Sequence, residues 1–203
     1  NVDVVVSNSK FTKNLAIKCG VDESKIIVIN PGINPIQELN KKSQDKVERL
    51  LKQKSPRLIT ISRYDKRKNH EKVIMALRNL KQIYPSIVYI CVGKGDEEEN
   101  IKKIVKELDL EEQVMFFKDI SNELKNSLLS KSDIFVMPSI IYKKSVEGFG
   151  ISYIEAAQYG VPSIGGADGG AADAINDKKT GLICDGNNLD AIYSSISSML
   201  ENN

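Results

Sequence analysis

From residue 57 to the C-terminus, short apolar runs alternate with segments of helical period, and this rhythm limits what the chain can fold into more than any other feature. The runs are RLITIS (57–62), IVYICVG (87–93), VMFF (114–117), DIFVMP (133–138), VPSIG (161–165) and GLICD (181–185). Helices are predicted between them. One covers 70–83, with Val73, Ile74, Leu77 and Leu80 on one face. A second is capped by Asp96 and has Ile101, Ile104, Val105 and Leu108 on its apolar face. Others run from Ser121 to about Ser130, over 150–159 and 170–177, and from Leu189 to the end. Strands alternating with crossover helices make a parallel sheet. The predicted fold is therefore α/β, a Rossmann-like doubly wound parallel sheet.

Upstream, residues 2–6 read as a strand, Ser9 caps a short helix to about Lys18, Gly20 closes it, and 25–30 read as a second strand. The segment PGINPIQELNKKSQ has two Pro and no period, so it reads as a linker, followed by a helix over 44–54. Residues 1–38 are assigned to the end of an N-terminal domain and its connection, and residues 39–203 to one domain. The first residue is Asn1 rather than Met, and the chain reads as a piece cut from a longer one.

Composition closes off several function classes. With 41% hydrophobic and 28% charged residues, the 203-residue chain is an ordinary globular sequence. No apolar run approaches the roughly 18 residues of a membrane span. A net charge of +2 gives no reason to expect a nucleic-acid partner. Three widely spaced cysteines make a disulfide framework unsuited to this sequence; Cys91 and Cys184 lie in apolar runs and read as small core residues in a reducing, cytoplasmic setting. His70 is the only histidine and reads as a solvated first-turn residue, which leaves little material for a His-based metal site or a Ser-His-Asp relay. No D-x-D sequence occurs, so an acidic clamp for a metal-bound diphosphate has no seat, and no metal ligands or cofactor are assigned. Residues 40–72 hold twelve Lys/Arg against four Asp/Glu, while 93–123 hold five against ten. These read as two solvated faces, or as a positive field near an anion site.

In open parallel sheets, ligands sit outside the carboxyl ends of the strands. After RLITIS, Arg63 and Lys68 stand between a strand end and a helix start, a place that suits a diphosphate. After IVYICV, Gly93 and Gly95 allow a tight turn, or close approach by a ligand such as a nucleobase. After DIFVMP, Glu147, Gly148, Phe149 and Gly150 lead into a helix carrying Glu155. Glycines at a helix start let N–H groups face an anion, and two carboxylates at this spacing can address two parts of a polyol. Gly166–Gly170 form a second glycine-rich turn before a helix.

Together these loops resemble the C-terminal, donor-binding domain of GT-B-fold retaining glycosyltransferases of the glycosyl transferases group 1 (family 4) type. The matching elements are Asn30-Pro31-Gly32, Ser62-Arg63 with Lys68, Val92-Gly93-Lys94-Gly95, Pro138-Ser139, Glu147-Gly148-Phe149-Gly150, Glu155-Ala156-Ala157, Gly160-Val161-Pro162, Gly169-Gly170 and Thr180-Gly181. The resemblance implies catalytic roles for Arg63, Lys68 and Glu147: the two cations hold the donor diphosphate, and Glu147 contacts the donor sugar. It implies that Glu155 contacts the ribose, that the amides of Phe149, Gly150 and Ile151 face sugar and phosphates, and that Gly93–Gly95 and Lys118–Ile120 border the base. Implied partners are a UDP- or GDP-type sugar donor, a glycan or lipid-linked acceptor, and a missing N-terminal domain through which any peripheral membrane contact would run. Three positions depart from the family pattern: Asn69 in place of Gly, Asp173 in place of Glu, and a basic insert at 140–146. Competing readings are a non-catalytic nucleotide-sugar-binding module, a nucleotide-sugar epimerase and a phosphorylase. A phosphorylase would need a cofactor lysine and a non-hydrolysing epimerase several acids and histidines; the single histidine speaks against both.

Overall fold

The computed structural model describes residues 2–36 and 38–201. Eight strands and eight helices follow one another: β1 (Val5–Ser7), α1 (Lys10–Lys18), β2 (Ile26–Val28), α2 (Lys41–Leu50), β3 (Arg57–Ile61), α3 (His70–Ile83), β4 (Val88–Val92) and α4 (Glu98–Glu107). Then come β5 (Val114–Phe117), α5 (Asn122–Ser130), β6 (Ile134–Met137), α6 (Ile151–Gln158), β7 (Ser163–Gly166), α7 (Ala171–Ala174), β8 (Gly181–Cys184) and α8 (Leu189–Glu201). The β1–β2 pair is a small parallel sheet; the remaining strands form one six-stranded sheet in the order β5-β4-β3-β6-β7-β8 with every pair parallel.

Period-2 alternation along the strands splits the core in two. Leu58, Tyr89, Cys91, Ile134, Val136 and Ile164 pack against α3, α4 and α8. Ile59, Ile90, Phe135 and Met137 face the other way, onto α2, α5, α6 and α7. Both faces are covered, which is why these strands are apolar throughout. The chain winds outward from β3 to β5 on one side, then restarts beside β3 with β6 and winds to β8 on the other. The crevice outside the carboxyl ends of β3 and β6 is the topological switch point, where this architecture places ligands.

The predicted elements hold, with shifted ends. Asn40 accepts from the Ser43 amide at 3.2 Å and starts α2 at Lys41, so the last residues of the expected linker are helical and the helix predicted at 44–54 ends early. Asp96 does not cap α4: the Glu97 amide is tied to the Tyr64 carbonyl at 3.0 Å, and the helix begins one turn-residue later, at Glu98, without a side-chain cap. The first strand covers Val5–Ser7 rather than 2–6, and the helix predicted at 170–177 covers only Ala171–Ala174. Residue 37 of the linker and residues 202–203 of the last helix lie outside the described residues.

His70 corrects the sequence reading. It is buried, not solvated. Its Nδ1 lies 2.9 Å from the Tyr89 hydroxyl and its Nε2 3.0 Å from Ser62 Oγ. Tyr89 in turn meets Thr60 Oγ1 at 2.7 Å, and Thr60 donates to the Val136 carbonyl. Counting protons along that chain puts the single imidazole proton on Nδ1. Burial, aided by the Lys68 charge, pushes its pKa down to about 3. Below pH ~6.5 the unfolded chain takes up a proton here that the native chain refuses, so stability falls as pH drops through that window. His70 alone should cost about 2 kcal/mol between pH 7 and pH 5. Urea titrations of wild type and His70→Gln at both pH values check this; parallel losses in the two proteins would show that His70 is not the sensor.

Candidate active site

The site is built where the loops after β3 and β6 meet. After Ile61 the chain makes one turn of 3-10 helix, Lys66–Lys68, capped by Asp65, whose Oδ1 accepts from the Lys68 amide at 3.1 Å. Three consecutive cations on a tight turn diverge. Lys66 leans out toward Glu97 at 3.8 Å, while Arg67 and Lys68 turn inward. Lys68 Nζ reaches Glu147 Oε2 at 2.5 Å, and Arg67 Nη1 reaches the same oxygen at 2.8 Å. All three side chains are nearly buried, with exposures of 12%, 8% and 11% for Lys68, Arg67 and Glu147.

The electrostatics follow from that burial. Burial disfavours the Lys68 ammonium and lowers its pKa, with Glu147 opposing the shift. Burial would raise the Glu147 carboxyl, but Lys68 and Arg67 outweigh it and hold the group below the usual carboxylate range. A cationic pair and one carboxylate thus share a nearly dry crevice, with Asp65, 3.7 Å from Arg67, balancing the second cation.

Asn69 secures this turn. It sits in the left-handed region at φ 63°, ψ 33°, which Asn tolerates better than most residues. Its Nδ2 donates to the carbonyls of Pro138 (2.9 Å) and Gly186 (2.8 Å), stitching the β3 loop to the β6 and β8 loops. The departure from Gly therefore keeps the backbone conformation and adds two buried hydrogen bonds. The Glu147 backbone is held from the other side: its carbonyl accepts from the Gly170 amide at 2.8 Å, and the pair Glu147–Gly169 forms a bridge. The Gly166–Gly170 turn thus buttresses the Glu147 loop.

Gly150 precedes α6 at φ +91°, with the Tyr153 ring where a Cβ would point, so only glycine fits. The Tyr153 amide donates to the Gly150 carbonyl at 3.0 Å, and the amides before it, at Ile151 and Ser152, lie at the positive end of the helix dipole, a few residues after Glu147 in the chain. Phe149 is buried beside it, and Ile151 is exposed. Glu155 lies one turn further, 2.9 Å from Lys125 on α5. It lines a cavity of about 420 Å³ with Ile151, Lys125, Asn122 and the Gly32–Pro35 segment.

Arg63 stands apart from the cluster: it is 79% exposed and 3.6 Å from Asp65. Gly93 and Gly95 are needed for packing. A Cβ on Gly93 would fall 1.9 Å from the Ser62 carbonyl and one on Gly95 2.3 Å from that of Tyr64, so the close approach is that of the neighbouring loop. Lys94 joins this turn to the Lys118–Ile120 loop through Asp119 at 2.7 Å. Sequence reasoning does not single out Arg67, and it gives no site role to Asn69 or His70. For His70 a signal existed, because positions 70, 73, 74 and 77 share one helical face. Among the described residues no cluster of three His, Cys, Asp or Glu is placed to hold a metal ion, and no helix is long and apolar enough to cross a membrane.

Compared with known families, residues 41–203 match the glycosyl transferases group 1 family. The chain belongs to that family. Among its relatives in the group, the GDP-mannose-dependent alpha-(1-6)-phosphatidylinositol monomannoside mannosyltransferase of Mycolicibacterium smegmatis is 33% identical over 147 residues, 71% of this chain and 38% of that one. Human alpha-1,3/1,6-mannosyltransferase ALG2 is 28% identical over 199 residues, covering 90% and 46%. The crystal structure of a glycosyltransferase from Rickettsia africae superposes with a TM-score of 0.84 at 26% identity, over 98% of this chain and 53% of that one. The chain thus spans about half or less of the length of these proteins, and its six-stranded parallel sheet flanked by helices matches part of a GT-B glycosyltransferase structure.

Proposed function

We propose that this chain is the donor-binding part of a retaining glycosyltransferase that moves a sugar from a nucleoside diphosphate sugar to a glycan or lipid-linked glycan acceptor. The observation that carries the reading is the meeting of Lys68 and Glu147 at the switch point, in front of the α6 N-terminus. In transfer, the C1–O bond of the donor breaks and its electron pair goes to the diphosphate, while the acceptor hydroxyl oxygen bonds to C1 and its proton passes to the departing phosphate oxygen. Lys68, the exposed Arg63, and the α6 amides supply positive charge where that negative charge grows. In this reading no divalent metal takes part. Glu147 faces the hydroxyls of the sugar as C1 becomes electron-poor, and Glu155, released from Lys125, takes the ribose. Residues 39–203 form the donor domain; residues 1–38 close the acceptor-side domain. The chain on its own is expected to bind donor and not to transfer it. A cytoplasmic setting, peripheral to the inner face of a membrane for a lipid acceptor, goes with this reading.

Several of the matched relatives are named as GDP-mannose-dependent, which puts GDP-mannose first among donors to try. A thermal-shift screen of GDP-mannose, UDP-glucose and ADP-glucose tests the reading. A donor at 100 times its Kd adds about 2.7 kcal/mol to stability. No shift with any sugar nucleotide would sink the assignment. Binding without turnover in the full-length polypeptide would favour the non-catalytic module, and transfer unaffected by EDTA would support the metal-free route.

A further inference from the structure

We propose that Arg67 is the positioning residue of this site: it keeps the Glu147 carboxylate fixed and ionised while Lys68 leaves it for the donor. The inference rests on the transferase reading above for its functional half, and on geometry alone for the rest.

Glu147 Oε2 is the acceptor for two cations at once, Lys68 at 2.5 Å and Arg67 at 2.8 Å. The two are not equivalent. Lys68 ends in a point charge on a flexible four-carbon stem, and its other neighbours are the Met137 sulfur at 3.5 Å and the capping Asp65 through its amide. It can turn to a phosphate without disturbing the backbone. Arg67 is a planar fork, buried to 8% exposure. Its carbonyl accepts from the Ile140 amide at 3.0 Å, tying it to the loop that leads to Glu147. Its Nη2 faces Asp65 at 3.7 Å, and its Nε is buried with no partner. Arg67 also lines an outer cavity of about 330 Å³ with Arg63 and Tyr142, so its hold comes from its contacts rather than from enclosure: Glu147 and Asp65 on the fork and Ile140 on the backbone keep it in place while Lys68 moves.

A single partner would not serve. With only Lys68, the donor phosphates and Glu147 would compete for one ammonium, and the carboxylate left behind in a nearly dry crevice would take a proton. The groups facing Glu147 are Lys68 and Arg67 directly, with Asp65 behind Arg67 and the Tyr153 hydroxyl beneath. None of the others can replace Arg67 as a cation.

The test separates the holder from the leaver. In protein labelled with ¹³C at glutamate Cδ, the Glu147 signal is identified by its loss in Glu147→Gln. In Lys68→Ala, which mimics the departed lysine, Glu147 should keep titrating below the ordinary glutamate value of about 4.3. In the double variant Arg67→Gln/Lys68→Ala its midpoint should rise by about two pH units, the direction burial dictates. A midpoint that rises fully in Lys68→Ala alone overturns the proposal, and this single variant decides it even if the double variant does not fold. In turnover by the full-length enzyme, Arg67→Gln should lower kcat by about tenfold or more with GDP affinity within about threefold, and Arg67→Lys should recover part of it. The acid limb of its kcat profile should move to higher pH. If Arg67→Gln instead weakens GDP binding as much as Lys68→Ala does, Arg67 is a donor ligand and the proposal fails. Absence of any sugar-nucleotide turnover in wild type would remove the transferase reading and leave the titration to decide the rest.

Discussion

Glu147→Gln is expected to lower turnover by about two to three orders of magnitude, the scale of losing one preorganised electrostatic contact in a transition state. The substitution keeps shape and removes charge. Glu147 occupies Lys68 at 2.5 Å, so a diphosphate must compete with it before the ammonium can engage. Without the carboxylate charge that competition disappears, and GDP affinity should hold or rise while kcat falls. The gain has a pH sign. Lys68 already has a lowered pKa from burial, and losing its counter-charge lowers it further, so the affinity of the variant should decline toward alkaline pH sooner than that of wild type. Calorimetric titration of GDP at two pH values, beside steady-state kinetics, measures both halves. Equal losses in affinity and turnover would move Glu147 from the sugar to the nucleotide.

Lys68→Ala should do the opposite. A hydrogen bond to a charged group is worth about 1.5–3 kcal/mol, so GDP binding should weaken by roughly ten- to over a hundredfold. The fold should tolerate the loss, because Arg67 remains on Glu147 at 2.8 Å and the desolvation of a buried ammonium is relieved. Unchanged affinity for both GDP and UDP would remove Lys68 from the diphosphate and, with it, the basis of the site.

Much of this was legible in the residues. The β3-to-β8 rhythm fixes a parallel sheet because each apolar run is followed by a helix-period segment, and the loops that carry function follow from strand order. Lys68 and Glu147 stand out by motif, 79 residues apart in sequence and joined only by the fold. Arg67 was hidden in a run of three cations, since nothing in Lys66-Arg67-Lys68 says which side chain a 3-10 turn will aim inward. Arg63, more prominent in the pattern, is 79% exposed and stands apart from the cluster. His70 was misjudged by its polarity. Its helical phase with Val73, Ile74 and Leu77 argued for burial, and the hydroxyls of Ser62 and Tyr89 that make burial affordable come from other elements. The glycines at 93 and 95 show the same limit: a sequence reveals that something comes close, and the fold reveals that it is another loop.

The switch point also dictates an order of assembly. β3 pairs with β6 through Leu58–Ile134 and Ile59–Phe135, a contact that closes some seventy-odd intervening residues containing β4 and β5. Loop-closure entropy makes such non-local parallel pairings slow to form. Lys68 and Glu147 lie on loops that follow these two strands, so their contact is expected to form with or after that pairing. The proposed donor site is therefore expected among the last features of the molecule to appear, and a nucleotide bound there would select chains whose two half-sheets have already joined.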